Sequence, residues 1–119
     1  METLAGLDNA DQSAVERAMH AVVRRDRAAL ENLGADNDSN PWVWADDYGG
    51  ERLGLAHPPG PVGTWPGSTT RTDARPGWCG VDVAVWATRH EMTDLTLQLD
   101  LERTGDGTVE TTFRDLRVM

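Results

Sequence analysis

An unbroken alternation of apolar and polar residues from Thr93 to Glu102 is the clearest pattern in the chain. Side chains of a β-strand point to opposite faces with a period of two, so this segment predicts a strand with one apolar and one polar face. The apolar face carries four leucines, Leu95, Leu97, Leu99 and Leu101. We therefore expect this strand to lie over a hydrophobic core.

Two further strands are predicted, one before and one after the leucine strand. From Gly80 onward a valine occupies every second position as far as Val85, and a hairpin at residues 89–91 would join the two segments. A glycine-bearing turn at residues 103–107 leads into a last predicted strand at residues 108–118. Three consecutive antiparallel strands are therefore expected.

The last predicted strand changes its apolar face partway along its length. Val109, Thr111 and Phe113 share one parity, whereas Leu116 and Val118 have the other. An extra residue in one strand of a pair produces such a change of face, so we expect a β-bulge near residues 114–115 that bends the sheet.

The first third of the chain predicts two helices. Ser13 and Glu16 have the spacing of a capping box, so we expect the first helix to begin at Ser13 after a flexible N-terminal segment of residues 1–12. Asp26 predicts the N-cap of a second, short helix, which Gly34 would end. The first helix carries an apolar stripe with helical spacing, formed by Val15, Ala18, Met19 and Val22.

Regular periodicity fails across residues 35–79, where proline and glycine are frequent. Within this segment, residues 42–48 predict a short helix or turn. Residues 52–56 predict a short strand with Leu53 and Leu55 on one side. Long irregular segments inside compact domains tend to be functional or mobile, so functional residues are expected here.

Together these elements predict a single α+β domain. A chain of 119 residues is long enough for one hydrophobic core but short for two domains. We expect two N-terminal helices, within residues 13–34, to pack on a curved, cone-like antiparallel sheet of three to four strands. The antiparallel meander would occupy residues 80–119.

This order of elements resembles that of the SnoaL-like, nuclear transport factor 2-like superfamily. The helix junction is V-V-R-R-D-R-A-A-L-E-N-L, and the later segments D-D-Y-G-G-E-R-L and V-D-V-A-V-W-A-T are similar to a small uncharacterised bacterial domain family of the same shape. The resemblance implies a curved sheet that wraps around helices and leaves a pocket at its open end. Enzymes of the superfamily, which include isomerases, dehydratases, cyclases and epoxide hydrolases, place an Asp or His there, and many members only bind.

Charge and cysteine content narrow the expected partners. The formal net charge of −9 repels phosphate backbones, so nucleic acid is not an expected partner. No segment approaches the roughly 20 apolar residues of a membrane span, and the N-terminus has no signal-like pattern, so no membrane is expected either. Cys79, the single cysteine, cannot form an internal disulfide. A cytoplasmic location is therefore predicted.

Four residues of the irregular middle are candidates for acid/base catalysis. Asp46 and Asp47 adjoin Tyr48 and lie near two tryptophans, whose rings could desolvate a carboxylate and make it a base, with the Tyr48 hydroxyl as a proton donor. His57 precedes a proline and is therefore held extended, where it could present an imidazole to a pocket. The alternative is that Gly49 ends a short helix here and leaves the acids exposed.

The remaining histidines and the cysteine predict no metal site. His20 lies near the edge of the apolar stripe of the first helix and His90 at a hairpin tip, so both are expected to be structural or exposed. No two histidines, and no histidine with Cys79, have the spacing of metal ligands. We therefore expect no metal and no other cofactor.

Five tryptophans, against one Phe and one Tyr, are the last unusual feature. Trp42, Trp44, Trp65 and Trp78 lie in the irregular middle and predict either a ligand-binding wall or a hydrophobic core that the loops need. Trp86 belongs to the polar row of the valine strand. Its sheet face is therefore a candidate homodimer contact.

Three functions follow as hypotheses. The favoured one is a small soluble, non-catalytic module that binds a small apolar molecule or a protein partner through its tryptophan-rich loops, because the predicted inner rows of the sheet carry no ionisable side chain. The second is an acid/base enzyme of the isomerase, cyclase or dehydratase type. The third is a homodimeric structural or regulatory protein.

Overall fold

The computed structural model describes residues 2–118 and has an α+β fold, in which the longest helix packs on the concave side of a curled antiparallel sheet. The fold class predicted from the sequence is confirmed. The helices are α1 (Asn9–Val23), α2 (Arg27–Asn32) and α3 (Val43–Asp46), with a 3-10 turn at Val62–Thr64. The strands are β1 (Leu55–Ala56), β2 (Gly67–Thr70), β3 (Trp78–Ala87), β4 (Met92–Arg103) and β5 (Val109–Val118).

The sheet is built around the β3–β4–β5 meander that the sequence predicts. β4 lies between β3 and β5, and both pairings are antiparallel. β1 and β2 pair with the other edge of β3, with Leu55 opposite Ala87 and Gly67 opposite Val83. β2 is an addition to the prediction, since it lies in the segment expected to be irregular.

The inner rows of β3 and β4 form the centre of the core. All four leucines of β4 and the valines of β3 are buried, and the register places Leu97 opposite Val83 and Leu99 opposite Val81. Full burial of one such side chain stabilises the fold by about 1.5–3 kcal/mol. The apolar stripe of α1 covers these rows, since its four members, Val15, Ala18, Met19 and Val22, are all buried. The predicted packing of the first helix on the sheet is confirmed.

The predicted bulge in β5 is also present. Gln98 of β4 lies opposite Asp115, but the next residue, Leu99, lies opposite Phe113, so Arg114 is the extra residue. This insertion lets Leu116 point into the core although its parity differs from that of Phe113. Bulges increase the local twist and bend of a strand, in keeping with the curl of the sheet.

The start of the first helix differs from the prediction. α1 begins at Asn9, and its N-cap is Asp8, whose carboxylate accepts a hydrogen bond from the Asp11 backbone N–H at 2.9 Å. The expected flexible segment is wrong for residues 2–12, because Leu4 is fully buried and Leu7 is 4% exposed. These two leucines bind the N-terminal segment to the core, and the helix begins four residues, about one turn, before the capping box. Met1 lies outside the described residues.

The helix junction and the middle segment follow the prediction more closely. Asp26 caps α2 by accepting a hydrogen bond from the Ala29 backbone N–H at 3.1 Å. α3 lies inside the predicted residues 42–48. β1 is shorter than residues 52–56, but Leu53 and Leu55 are both buried, as their shared parity predicts.

Candidate functional site

A cleft of about 620 Å³ opens between α1, the first turn of α2 and the loop of residues 57–65. Two successive turns of α1 supply its floor, because residues four apart lie on one face of a helix. The cleft is lined by Glu16, Arg17, His20, Ala21, Asp26, Ala29, His57, Pro58, Gly60 and Trp65. It therefore combines apolar walls with several ionisable groups.

The loop that forms one wall of the cleft is held in place by its own contacts. Trp65 is 2% exposed and donates its indole N–H to the carbonyl oxygen of Gly60 at 2.9 Å, which closes the loop on itself. The Leu4 backbone N–H donates to the carbonyl oxygen of Trp65 at 3.1 Å. Pro58 is buried. His57 is thus presented by a fixed segment rather than a free one.

Two imidazoles meet inside this cleft. The ring centroids of His20 and His57 are 5.6 Å apart with the rings tilted by 39°, and the indole of Trp65 lies 6.1 Å from His57 on centroids. Neither imidazole hydrogen-bonds to another group within residues 2–118. Both are therefore free to bind a ligand.

Burial controls the protonation of His57. Removal of water lowers the pKa of its imidazole from the usual 6.5, and the neighbouring His20 lowers it further, against the opposing influence of the Glu16 carboxylate. The imidazole of His57 is consequently neutral at neutral pH, and a neutral imidazole offers one hydrogen-bond donor and one acceptor.

The other three predicted catalytic residues lie outside the cleft lining. Asp46 accepts hydrogen bonds from Arg25 at 2.5 Å and from Asn40 at 2.8 Å. The Asn40 amide and then Arg25 hold the pKa of Asp46 below its ordinary value. A carboxylate stabilised in this way is a weak base. The structure therefore does not give Asp46 the environment that a general base requires.

Asp47 and Tyr48 are also separated from His57. The Asp47 side chain is exposed. The Tyr48 hydroxyl donates to the carboxylate of Asp94 at the start of β4, and this hydrogen bond raises the pKa of the phenol. Of the four predicted catalytic residues, only His57 lines the cleft.

The four tryptophans predicted to bind a ligand do not share one wall. Trp42 is 5% exposed and donates its indole N–H to the Val22 carbonyl oxygen at 2.8 Å, so it is a core residue. Trp44 is 51% exposed. Trp78 lies on the outer face of the sheet, under the Arg75 guanidinium. Trp65 alone among them lines the cleft.

His20 and its neighbours on α1 are the site residues that the sequence analysis missed. His20 and His57 are 37 positions apart, so chain spacing cannot show that they meet. One available signal was the position of Glu16 and His20, which are four residues apart on the polar side of a predicted amphipathic helix. This spacing places both side chains on one face of the helix, but it does not indicate which part of the chain packs beside that face.

A second, smaller hollow contains the chain's buried carboxylate. Asp11 is 6% exposed and accepts a hydrogen bond from Arg103 at 3.1 Å, which ties the first turn of α1 to the end of β4. Arg71 lies 3.7 Å from the same carboxylate, and Cys79 lines the hollow. Because burial raises the pKa of the Cys79 thiol, this thiol is a poor nucleophile. The ion pairs of Asp11 with Arg71 and Arg103 give the charged side chains of this hollow a structural role.

Within residues 2–118, no three His, Cys, Asp or Glu side chains are already grouped around a possible metal position, and no helix has the length and apolar character needed to cross a membrane. No protein-family profile, curated protein or solved structure matches the chain. The superfamily resemblance therefore stays a prediction from the sequence.

Proposed function

We propose that the protein is a non-catalytic binding module and that its ligand site is the cleft between α1 and the loop of residues 57–65. The observation that carries this proposal is the cleft itself, whose volume of about 620 Å³ lies in the range of small-molecule sites. Its walls belong to a packed helix and an anchored loop. A ligand therefore meets a largely preformed site, which lowers the entropic cost of binding.

The lining defines the chemistry of the ligand. Pro58, Ala21 and Ala29 supply apolar surface, while His20 and His57 supply unsatisfied hydrogen-bonding groups. A small, partly apolar molecule with at least one polar group fits this combination. Among the tryptophans of the irregular middle segment, Trp65 is the one that would contact such a ligand.

The alternative of an acid/base enzyme has less support. In this alternative, Asp46 or Asp47 would act as the catalytic base. Asp46, however, forms an ion pair with Arg25 that favours its ionised form, and both carboxylates lie outside the cleft that contains His57. The neutral imidazole of His57 could accept a proton, yet no partner acid predicted from the sequence lines the same cleft. We therefore favour binding over catalysis.

A small-molecule fragment screen tests the proposal. Ligands are detected by NMR shifts of the backbone amides of residues 16–21 and 57–65, together with the melting temperature. We expect hits to perturb this region and to weaken in His57→Ala. The matched control is His90→Asn, because His90 is an exposed hairpin residue with a positive φ that Asn tolerates. A screen whose hits map elsewhere, or bind His57→Ala equally well, would contradict the proposal.

A second candidate function, self-association through the outer sheet face, is supported by a separate observation. Met92 is 46% exposed and lines a shallow hollow with Ala84 and Thr96. Trp86 lies opposite Met92 in the register of β3 and β4, so both belong to this face. Exposed apolar surface on a sheet face is a feature of protein contacts.

We further propose that the protein works in the cytoplasm. The support is its cysteine content, since the single thiol, Cys79, is buried and free. Because one cysteine cannot form an internal disulfide, the fold does not depend on an oxidising compartment.

A further inference from the structure

The two imidazoles of the cleft are unusual because they lie beside each other and neither forms a hydrogen bond with any part of the chain that the structure describes. His20 lies on α1 and His57 on the anchored loop, so both backbones are fixed before any ligand arrives. Polar side chains that converge in a cleft and leave their hydrogen-bonding capacity unused are the expected form of a binding site.

Their separation matches that of two ligands of one metal ion. Zinc binds imidazole nitrogen at about 2.0–2.1 Å in tetrahedral geometry, which places the two ring centroids about 5 Å apart. The centroids of His20 and His57 are 5.6 Å apart. This separation allows both imidazoles to coordinate one ion once a nitrogen of each ring turns toward it.

A carboxylate is available to complete the set. Glu16 precedes His20 by four residues, so both side chains lie on the same face of α1 and both line the cleft. Glu16 forms no salt bridge within residues 2–118, and its charge acts on His57. Its side chain is thus free to rotate toward the imidazoles. In the structure the three side chains do not meet at a common ion position, so metal binding requires each of them to change its rotamer.

We propose that His20 and His57, with Glu16 as the third ligand, bind a divalent transition-metal ion of the class that prefers imidazole, and that water or a small molecule occupies the remaining position. This inference rests on the proposed function, because it assigns a ligand class to the same cleft. A site with two imidazole ligands is unsuited to magnesium and calcium ions, because both prefer oxygen ligands. The sequence predicted no metal because no two histidines have the chain spacing of metal ligands. The fold nevertheless brings His20 and His57 together in space.

Zinc chloride alone is the probe for this inference. The purified protein, free of chelators, is titrated at neutral pH by calorimetry, and the imidazole nitrogens of its three histidines are followed by long-range proton–nitrogen NMR. We expect one zinc ion per chain, with shifts at His20 and His57 and none at His90. Sedimentation should show that zinc leaves the oligomeric state of the protein unchanged.

Single substitutions identify the ligands. Removal of one imidazole in His20→Ala or His57→Ala should weaken zinc binding by about tenfold or more, since half of the nitrogen ligands are lost. Glu16→Gln should cause a smaller loss, and His90→Asn should cause none. Because His20 is exposed, His20→Ala keeps the test valid even if His57→Ala disturbs the loop.

Three outcomes would overturn the inference. They are the absence of zinc binding, binding that the His20→Ala and His57→Ala variants retain, and binding that shifts the NMR signals of His90 equally, as expected for adventitious ions on an acidic surface.

The fragment screen is repeated with a chelator present, to separate the metal site from the proposed function. Fragments that bind the cleft under those conditions, without any zinc site, would preserve the proposed function and remove the metal.

Discussion

Trp42 and Val22 are joined by a buried hydrogen bond, in which the indole N–H donates to the Val22 carbonyl oxygen near the end of α1 at 2.8 Å. The Arg25 guanidinium lies over the same ring, 5.9 Å from its centroid. This contact fixes the segment that precedes α3 to the end of α1. It also gives Trp42 a structural role, which is the core alternative that the sequence analysis left open beside ligand binding.

We predict that Trp42→Phe lowers the free energy of unfolding by about 1–3 kcal/mol, because the Val22 carbonyl loses its indole donor in a buried position. Ligand binding in the cleft should not change, since Trp42 is absent from its lining. Trp44→Phe is the matched control, and its 51% exposure predicts a change within about 0.5 kcal/mol. Urea denaturation measures both. Equal stability of the two variants would contradict the assignment.

The lowered pKa of His57 predicts a pH dependence of stability. The unfolded chain, with the ordinary value of 6.5, binds a proton at a higher pH than the folded chain does. Protonation therefore favours unfolding, and this part of the stability is lost as the pH falls through 6.5 toward the lower folded pKa. His57→Ala should flatten the decrease in unfolding free energy between about pH 8 and about pH 5. His90→Asn should leave the slope as it is, and a His57→Ala slope equal to that of the unsubstituted chain would refute the prediction.

Gly67 is predicted to be indispensable to β2. A Cβ at this position would collide with the carbonyl oxygen of Asp82 and approach the Leu4 side chain at 3.0 Å. Gly67→Ala should therefore destabilise the fold by about 2 kcal/mol or more, as expected when a backbone must shift. Gly105→Ala, where no atom lies within 4 Å of the added Cβ, should change stability by less than about 0.5 kcal/mol. Thermal unfolding followed by circular dichroism compares the two variants, and a tolerated Gly67→Ala would show that β2 can move away.

Self-association predicts a concentration-dependent sedimentation coefficient that Met92→Ser abolishes, because this change removes exposed apolar surface at the centre of the proposed contact. Val43→Ser is the control, since Val43 is 57% exposed but lies in α3, away from the sheet face. Sedimentation of a single chain at the highest attainable concentration would eliminate the dimer.

The strands could be predicted from the sequence because their information is local. In β4 each leucine alternates with a polar residue, and the parity change in β5 located the bulge at Arg114 to within one residue. A period of two fixes both the element and its buried face. No knowledge of distant contacts was needed.

The start of α1 and the strand β2 could not be predicted, because each depends on a distant partner. Asp8 competes with Ser13 as a helix cap, and burial of Leu4 and Leu7 decides between them. β2 has little apolar alternation and exists because the edge of β3 is available for pairing. Local preferences give way to tertiary contacts in both cases.

The candidate site is the least predictable part of the molecule. The sequence identified His57, whose proline neighbour restricts its backbone, but not His20, which was expected to be structural or exposed. The two meet only because the loop of residues 57–65 returns to α1 through Trp65 and Leu4. Four nearby tryptophans and two adjacent acids formed a more conspicuous pattern, yet the structure separates most of them.

Cys79 supplies a built-in reporter of opening at the start of β3. Its thiol is 2% exposed, on the inner row of β3, and no second cysteine competes with it for a reagent. Alkylation of the native protein therefore requires molecules in which the start of β3 has opened enough to expose the thiol. The labelling rate thus follows the population of these open molecules, and ligands or zinc ions that stabilise the native state slow the reaction in proportion to their affinity.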